Sequence, residues 1–389
     1  MANSNQVGLA LWEESTFGTL PVGQDLKQIR FASESLAKRT SSAISQEIRS
    51  DRQIADIVRV DIGAGGDISG EFSYSGAGTA SSAQDLLIEA ALQSADWSAV
   101  VTNTGTFSCS SGGSTITGTG VATGIVAGQW IRFKDGSSVI GYFLVTNSAV
   151  GTLTVTPTLP STVTGSGNEE VEAGSYIANG TTDRSFSIER SHGDIASVFE
   201  QYAGMKVEGW SVSFASGAIS SQSFNLVGKT ETSASSTMGD GANTAHATGE
   251  VMNGVDNVYA IRENHTSLGS VVRSVSFAVS NNLFPRGAIA NLGPVSMGSG
   301  SCNVSGSLSI YFENNTLLDK YRNWTTTSLT LVLSDSAGNA YCIFLPSVKL
   351  SEASANAPGL NQDVIASFSF QAKRDSTYGE MIRITRWDA

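Results

Sequence analysis

The chain has 389 residues, 41 of them glycine, and carries 23 Lys plus Arg against 35 Asp plus Glu, a formal charge of −12. That length exceeds one ordinary core, so two or three domains are expected, and general acidity argues against ordinary nucleic-acid binding, which wants a basic footprint. Abundant glycine, Ser and Thr, with six Trp and sixteen Phe in regular alternation, exclude both a helical bundle and a disordered chain and point to many short strands joined by turns.

Residues 1–28 carry isolated apolar anchors (Leu9, Leu11, Trp12, Phe17, Leu20) between turn formers, the pattern of an extended docking arm. This segment lacks the basic and apolar regions of a signal peptide, and no stretch nears the ~20 apolar residues of a membrane helix. Synthesis and assembly in a cytoplasm are therefore expected. A strand is expected to start within 29–36. The segment KRTSSAISQEIRSDRQIADIVRV, 38–60, mixes five basic and three acidic residues with Ile44, Ile48, Ile54 and Ile57. Its periodicity fits neither a clean helix nor a clean strand, so it reads as a long hairpin or loop. Buried-type isoleucines among charges of both signs fit a subunit contact better than free solvent.

From Asp67 to Tyr74 the chain alternates, with Ile68, Gly70, Phe72 and Tyr74 on one face and Asp67, Ser69, Glu71 and Ser73 on the other, a half-buried strand. Ser82–Leu92 is the best helix: Ser81 or Ser82 can cap it, Asp85 suits its first turn, and its leucines share a side.

Several blocks recur in order. GDISGEFSY (66–74) matches CNVSGSLSI (302–310), so that Ile68-Ser69-Gly70 falls on Val304-Ser305-Gly306. A leucine-rich stretch and a tryptophan follow each, Trp97 and Trp324. SFSI (185–188) then matches SLTL (328–331), and SFNLVGK (223–229) matches SFSFQAK (367–373). Such repetition points to two copies of a β-module, usually an assembly device. The copies differ by an insertion at 98–177 whose strand signals (STITGTGVATGI, QWIRFKDG, IGYFLVTN, GTLTVTPTL) suffice for a small β-domain standing out from the surface. The first module is then 29–97 with 178–229, the polar stretch 230–254 is a linker or long loop, and the second module is 255–389, ending in the strand MIRITRW.

Chemistry is hard to find. His192 lies in SHGD with Ser191 and Asp194, but no nucleophile elbow accompanies it, and a turn between strand and helix is the expected structure. His246 and His265 lack any Cys, His or carboxylate at metal spacing. The glycine runs at 63–66 and 118–124 do not link a parallel strand to a helix, so turn geometry replaces phosphate binding. Carboxylates are plentiful without a pair that stands out. Asn-x-Ser/Thr sequons such as Asn303-Val304-Ser305 carry little weight without a secretory signal. Cys109, Cys302 and Cys342 read as free, partly buried thiols. No catalytic residue, cofactor or metal is expected.

The run from Ile29 to Leu92, with EIRSDRQIADIVR leading into GDISGEFSY and DLLIEAAL, resembles the major tail tube proteins of long-tailed bacteriophages. So do FSIERSHGDIASVFEQYAGMKVEGWSVSFASGAISSQSFNLVGK (186–229), SGSLSIYFENNTLLDKYRNW and the strand ending in SFSFQAK. The resemblance covers most of the chain outside 98–177, and EIRSDRQ is its most specific part. It implies a mainly β fold: two tandem tail-tube β-sandwich or barrel modules, each with a flanking helix, plus the inserted β-domain in the first. It implies rings that stack into a hollow tube conducting DNA as passive cargo. The partners implied are a tape-measure protein that fixes length, and tail terminator and tip proteins. The location implied is the virion tail, assembled in the host cytoplasm without membrane insertion. Within that frame Asp67, Ser69, Glu71 and Ser73 are expected to face the lumen, where neutral or acidic groups would keep DNA from sticking. Arg49, Asp51, Arg52, Asp56 and Trp12 are expected at contacts between rings. Two modules per chain favour a ring of three chains with pseudo-sixfold symmetry over one of six. A virion-surface adhesin or receptor-binding protein is the main alternative, and a polysaccharide-degrading enzyme the third.

Overall fold

Serine alternating with large apolar residues sets the framework, because successive side chains of a strand point to opposite faces and only one face here can be buried. The computed structural model describes residues 3–76, 82–356 and 359–389. Strands β1 (Val7–Glu13), β2 (Lys27–Gln28), β3 (Ser33–Glu34), β4 (Ala37–Ile44) and β5 (Ile57–Glu71) precede helix α1 (Ala83–Leu92). Then come β6 (Val101–Gly105), β7 (Ser108–Cys109), β8 (Thr115–Thr117), β9 (Trp130–Asp135), β10 (Ser138–Ala149), β11 (Thr152–Thr156) and β12 (Glu169–Ala173). The chain returns through β13 (Ser175–Ala178), β14 (Phe186–His192), β15 (Phe199–Ala215), β16 (Ser221–Gly228) and β17 (Thr230–Ala234). Next follow β18 (Val258–Glu263), β19 (Thr266–Ser267), β20 (Val272–Ser280), β21 (Phe284–Arg286), β22 (Ser296–Gly298) and β23 (Asn303–Tyr311). Helix α2 (Thr316–Arg322), β24 (Thr327–Ser334), β25 (Ala340–Asn356), β26 (Ile365–Ala372) and β27 (Arg383–Trp387) complete it.

The expected mainly β fold is present. In the first half the hydrogen-bonded neighbours run β1-β14-β15-β16-β5, with β3 and β4 on the far side of β5. In the second they run β18-β24-β25-β26-β23-β20. An antiparallel pairing of β15 with β20, Gly209↔Ser280 through Ala215↔Ser274, joins the two into one sheet. One hydrophobic core runs through both, from Leu9, Ile68 and Phe72 past Trp210 and Phe277 to Phe368 and Ile384.

Helix α1 starts where local chemistry put it. Ser82 is the N-cap, its Oγ accepting from the Asp85 backbone N–H at 3.1 Å while the Asp85 carboxylate accepts from the Ser82 N–H at 3.1 Å. Ser81 lies outside the described residues. Asp85 is buried and ion-paired to Arg386 at 2.7 Å, so the cap also ties the helix to β27. No helix among the described residues is long and apolar enough to cross a membrane.

Elsewhere tertiary contacts altered the expectation. Residues 7–13 of the supposed arm are β1, paired with β14 from Val7↔His192 to Glu13↔Phe186, because Leu9 and Leu11 find the core. The turn after His192 leads into β15, not a helix. Residues 230–254 begin with β17, and the loop beyond is held by bridges such as Ser73↔Val251 and by buried Met238 and Met252. Strands β6–β12 form their own seven-stranded sheet with a separate core around Phe107, Phe133 and Leu153. That sheet leans on the second half: Trp130, Tyr142 and Leu144 pack with Val332, Cys342, Phe344 and Trp387. The Arg132 guanidinium pairs with Glu172 at 2.6 Å and donates to the Gly338 carbonyl at 2.9 Å. Residues 175–178 belong to the main sheet, as β13 paired with β27.

Candidate functional site

The joined sheet buries one face and leaves the other concave and open. Trp210, Val212, Phe214, Phe224, Phe277 and Phe368 turn into the core. The alternate residues, chiefly serine, line a groove of about 790 Å³ that crosses both halves, with Ser69, Ser211, Ser223, Ser276, Ser307 and Ser369 among its walls. Neighbouring hydroxyls satisfy one another across strands, Ser69 with Ser223 at 2.8 Å and Ser276 with Ser307 at 2.8 Å. Asn225 donates to Asp67 at 2.7 Å. The wall is therefore a hydroxyl surface with few charges, able to hold water.

Of the four residues expected together, Ser69 and Glu71 line this groove, and Asp67 is exposed on the same side of β5. Ser73 is not with them. Strand β5 ends at Glu71, and Ser73, 1 % exposed, bridges to Val251 under the 230–254 loop. Alternation cannot see a strand end imposed by a segment far along the chain. The reading missed the larger part of the wall, in β15, β20, β23 and β26. Its signal was legible as serine alternating with aromatics in WSVSF (210–214), SVSF (274–277) and SFSF (367–370).

The 38–60 segment is a hairpin, β4 paired with β5 from Ala37↔Gly65 to Ile44↔Ile57, and every residue of β4 is exposed. Ile44, Ile48, Ile54, Ile57 and Val58 are all exposed, Ile48 completely at 103 %. So many apolar side chains in water on one hairpin make an exposed apolar patch, unlike surface apolar residues scattered singly. At its tip Arg49 pairs with Asp51 at 2.8 Å, and that hydrogen bond lowers the Asp51 carboxyl below its ordinary range. Arg52 adopts a left-handed turn conformation (φ 58°), and Asp56 accepts from the Ile57 N–H at 2.7 Å. Trp12 lies apart from the hairpin, half-buried against Ala10, Leu26 and Met238, where it lines a cleft of about 1170 Å³ with Trp97 and Arg184.

Among the described residues no group of three or more His, Cys, Asp or Glu could hold a metal ion. The His192 Nε2 is 4.0 Å from Glu200, and Asp194 accepts from the Asn3 backbone at 2.6 Å, so SHGD assembles no nucleophile and base. Cys109, Cys302 and Cys342 are free, and burial pushes the Cys342 thiol well above its usual range. Compared with known proteins, the chain matches the family model described as phage tail tube protein over residues 4–372. No curated protein matches it.

Proposed function

Because the chain belongs to the phage tail tube protein family and is a structural component of the tail, we propose that its copies close into rings, that the rings stack into a hollow tube, and that the serine-lined concave face is the wall past which DNA moves. The observation that carries this reading is the continuity of the hydroxyl face across the β15–β20 junction, so that one curved wall spans both halves of one chain. Among the described residues that line the groove none is basic and Glu71 is acidic, so phosphate finds no cationic footing there, as free passage of a polyanion requires. The family match lends no support to an adhesin.

In this reading the hairpin with Arg49, Asp51, Arg52 and Asp56 meets the next ring, and Trp12 in its cleft is a second contact. The inserted β6–β12 sheet decorates the outside. A tape-measure protein would occupy the lumen during assembly in the host cytoplasm, and terminator and tip proteins would close the ends. Two similar four-strand sets per chain favour three chains in a ring over six. Electron microscopy of the concentrated protein tests this directly: threefold class averages of stacked rings are expected. Particles that stay monomeric under all assembly conditions, or a tube with a basic lumen, would refute it.

A further inference from the structure

The β15–β20 junction is a pattern for a contact the chain leaves unmade. The two halves correspond strand by strand. Strand β15 bulges between Val207 and Gly209 opposite Leu226 and Asn225, and β25 bulges between Leu350 and Glu352 opposite Phe370 and Ser369. Gly66 pairs with Leu226 and Gly306 with Phe370. A Cβ on Gly66 would strike the Ser35 carbonyl oxygen, and one on Gly306 that of Ser276. Ser69 stands between Ser33 and Ser223, as Ser309 stands between Ser274 and Ser367. By these pairings Gly306 answers to Gly66, four residues from the Gly70 that the sequence match suggested. An even shift keeps every side chain on its face, which is why the match looked sound.

This correspondence sets Val212 against Ala355 and Phe277 against Leu36. Val212 and Phe277 are partners across the junction. Among the described residues no strand pairs with the edges on which Ala355 and Leu36 lie. Strand β24 leaves β25 at Val348, and among the described residues nothing pairs beyond it on the side away from β26. On the other edge the Leu36 N–H donates to Glu34 Oε2 at 2.8 Å. The Leu36 carbonyl accepts from Arg190 Nη2 at 2.7 Å and from Tyr202 Oη at 3.0 Å. Glu34 is itself held by Arg190 at 2.5 Å. Side chains thus occupy the groups through which a neighbouring strand would bond, one way of blunting an edge.

We propose that residues 352–356 of β25 pair antiparallel with residues 35–39 of a second copy, in the register already used at β15–β20, and that the incoming strand displaces Glu34 from Leu36. Ala355 then faces Leu36, Ser354 faces Ala37, and Glu352 faces Arg39. The last pair sets opposite charges across the seam, as neighbouring strands prefer. Until it is displaced, the Glu34 cap keeps a lone chain from adding strands at random. The proposal rests on the ring reading.

Two variants that each add one cysteine to the three already present, Ser354→Cys and Ala37→Cys, are assembled together and mildly oxidised, and the peptide linking positions 354 and 37 is identified by mass spectrometry. Both positions are exposed in the free chain. A disulfide between chains is expected in tubes, absent before assembly, and much reduced when Ser41→Cys replaces Ala37→Cys. Tubes without the link, or with equal linking at Ser41, overturn the proposed register while leaving the ring reading intact. Absence of tubes from the wild-type chain sinks both. Glu34→Gln keeps the side chain's size but weakens its cap, so the assembly lag should shorten several-fold; an unchanged lag removes Glu34 from the proposal.

Discussion

Glu89 is fully buried on α1 with Arg184 at 3.3 Å, and burial pushes its carboxyl up to about 7 despite that guanidinium. An acid whose folded pKa is raised favours the fold in its neutral form. Its contribution is complete below about 4.5, the ordinary value, and is lost as pH rises to about 7. Glu89→Gln should therefore flatten the fall in stability over that interval and be the more stable chain at pH 8, by up to about 3 kcal/mol. Arg184 keeps Glu13 at 2.7 Å and Asp96 at 2.5 Å in either case. Denaturant titrations of both proteins at pH 5 and pH 8 measure this, and parallel pH profiles would contradict it. Arg386→Met tests the neighbouring pair: it leaves the buried Asp85 carboxylate without its cation at a cost of roughly 3–5 kcal/mol in the same titration. The Ser82–Asp85 cap could be read from sequence because it is made within four residues. That Asp85 also serves Arg386, 301 positions away, could not.

At the scale of elements, the hairpin was legible. Because Ile48 and Ile54 stand exposed at its outer end, Ile48→Asp with Ile54→Asp should change the monomer's stability by less than about 0.5 kcal/mol. The same pair should abolish tube growth in a light-scattering assay, as should reversing the charges of Arg49, Asp51 and Arg52. Normal growth in either case would free the hairpin from any role between rings. The insertion was legible as a β-domain, but its footing was not, since nothing local in 98–177 announces Trp387 or Phe344 as its partners. A clean deletion of 98–177 would take most of β13 from β27 and bare Phe344, Trp387 and Val332. Exposing large side chains costs about 1.5–3 kcal/mol each, so the shortened chain should aggregate on expression. Polar replacements at Val332 and Phe344 should recover soluble protein; a soluble, fully stable simple deletion would show the packing to be dispensable.

For the whole molecule, strand content was visible because alternation survives in sequence. Register was not, since a four-residue slip leaves the pattern of buried and open positions unchanged. The proposed ring of three rests on geometry that one chain already contains: two four-strand sets, β3/β4-β5-β16-β15 and β20-β23-β26-β25, joined in one sheet. In the proposed tube, the hydroxyl wall on that sheet would also govern how a polyanion slides. Serine hydroxyls hold a film of water by short-lived hydrogen bonds and recruit few counterions, so a polyanion sliding along them would shear water instead of breaking ion pairs. Friction in such a conduit would track the viscosity of water and change little with ionic strength.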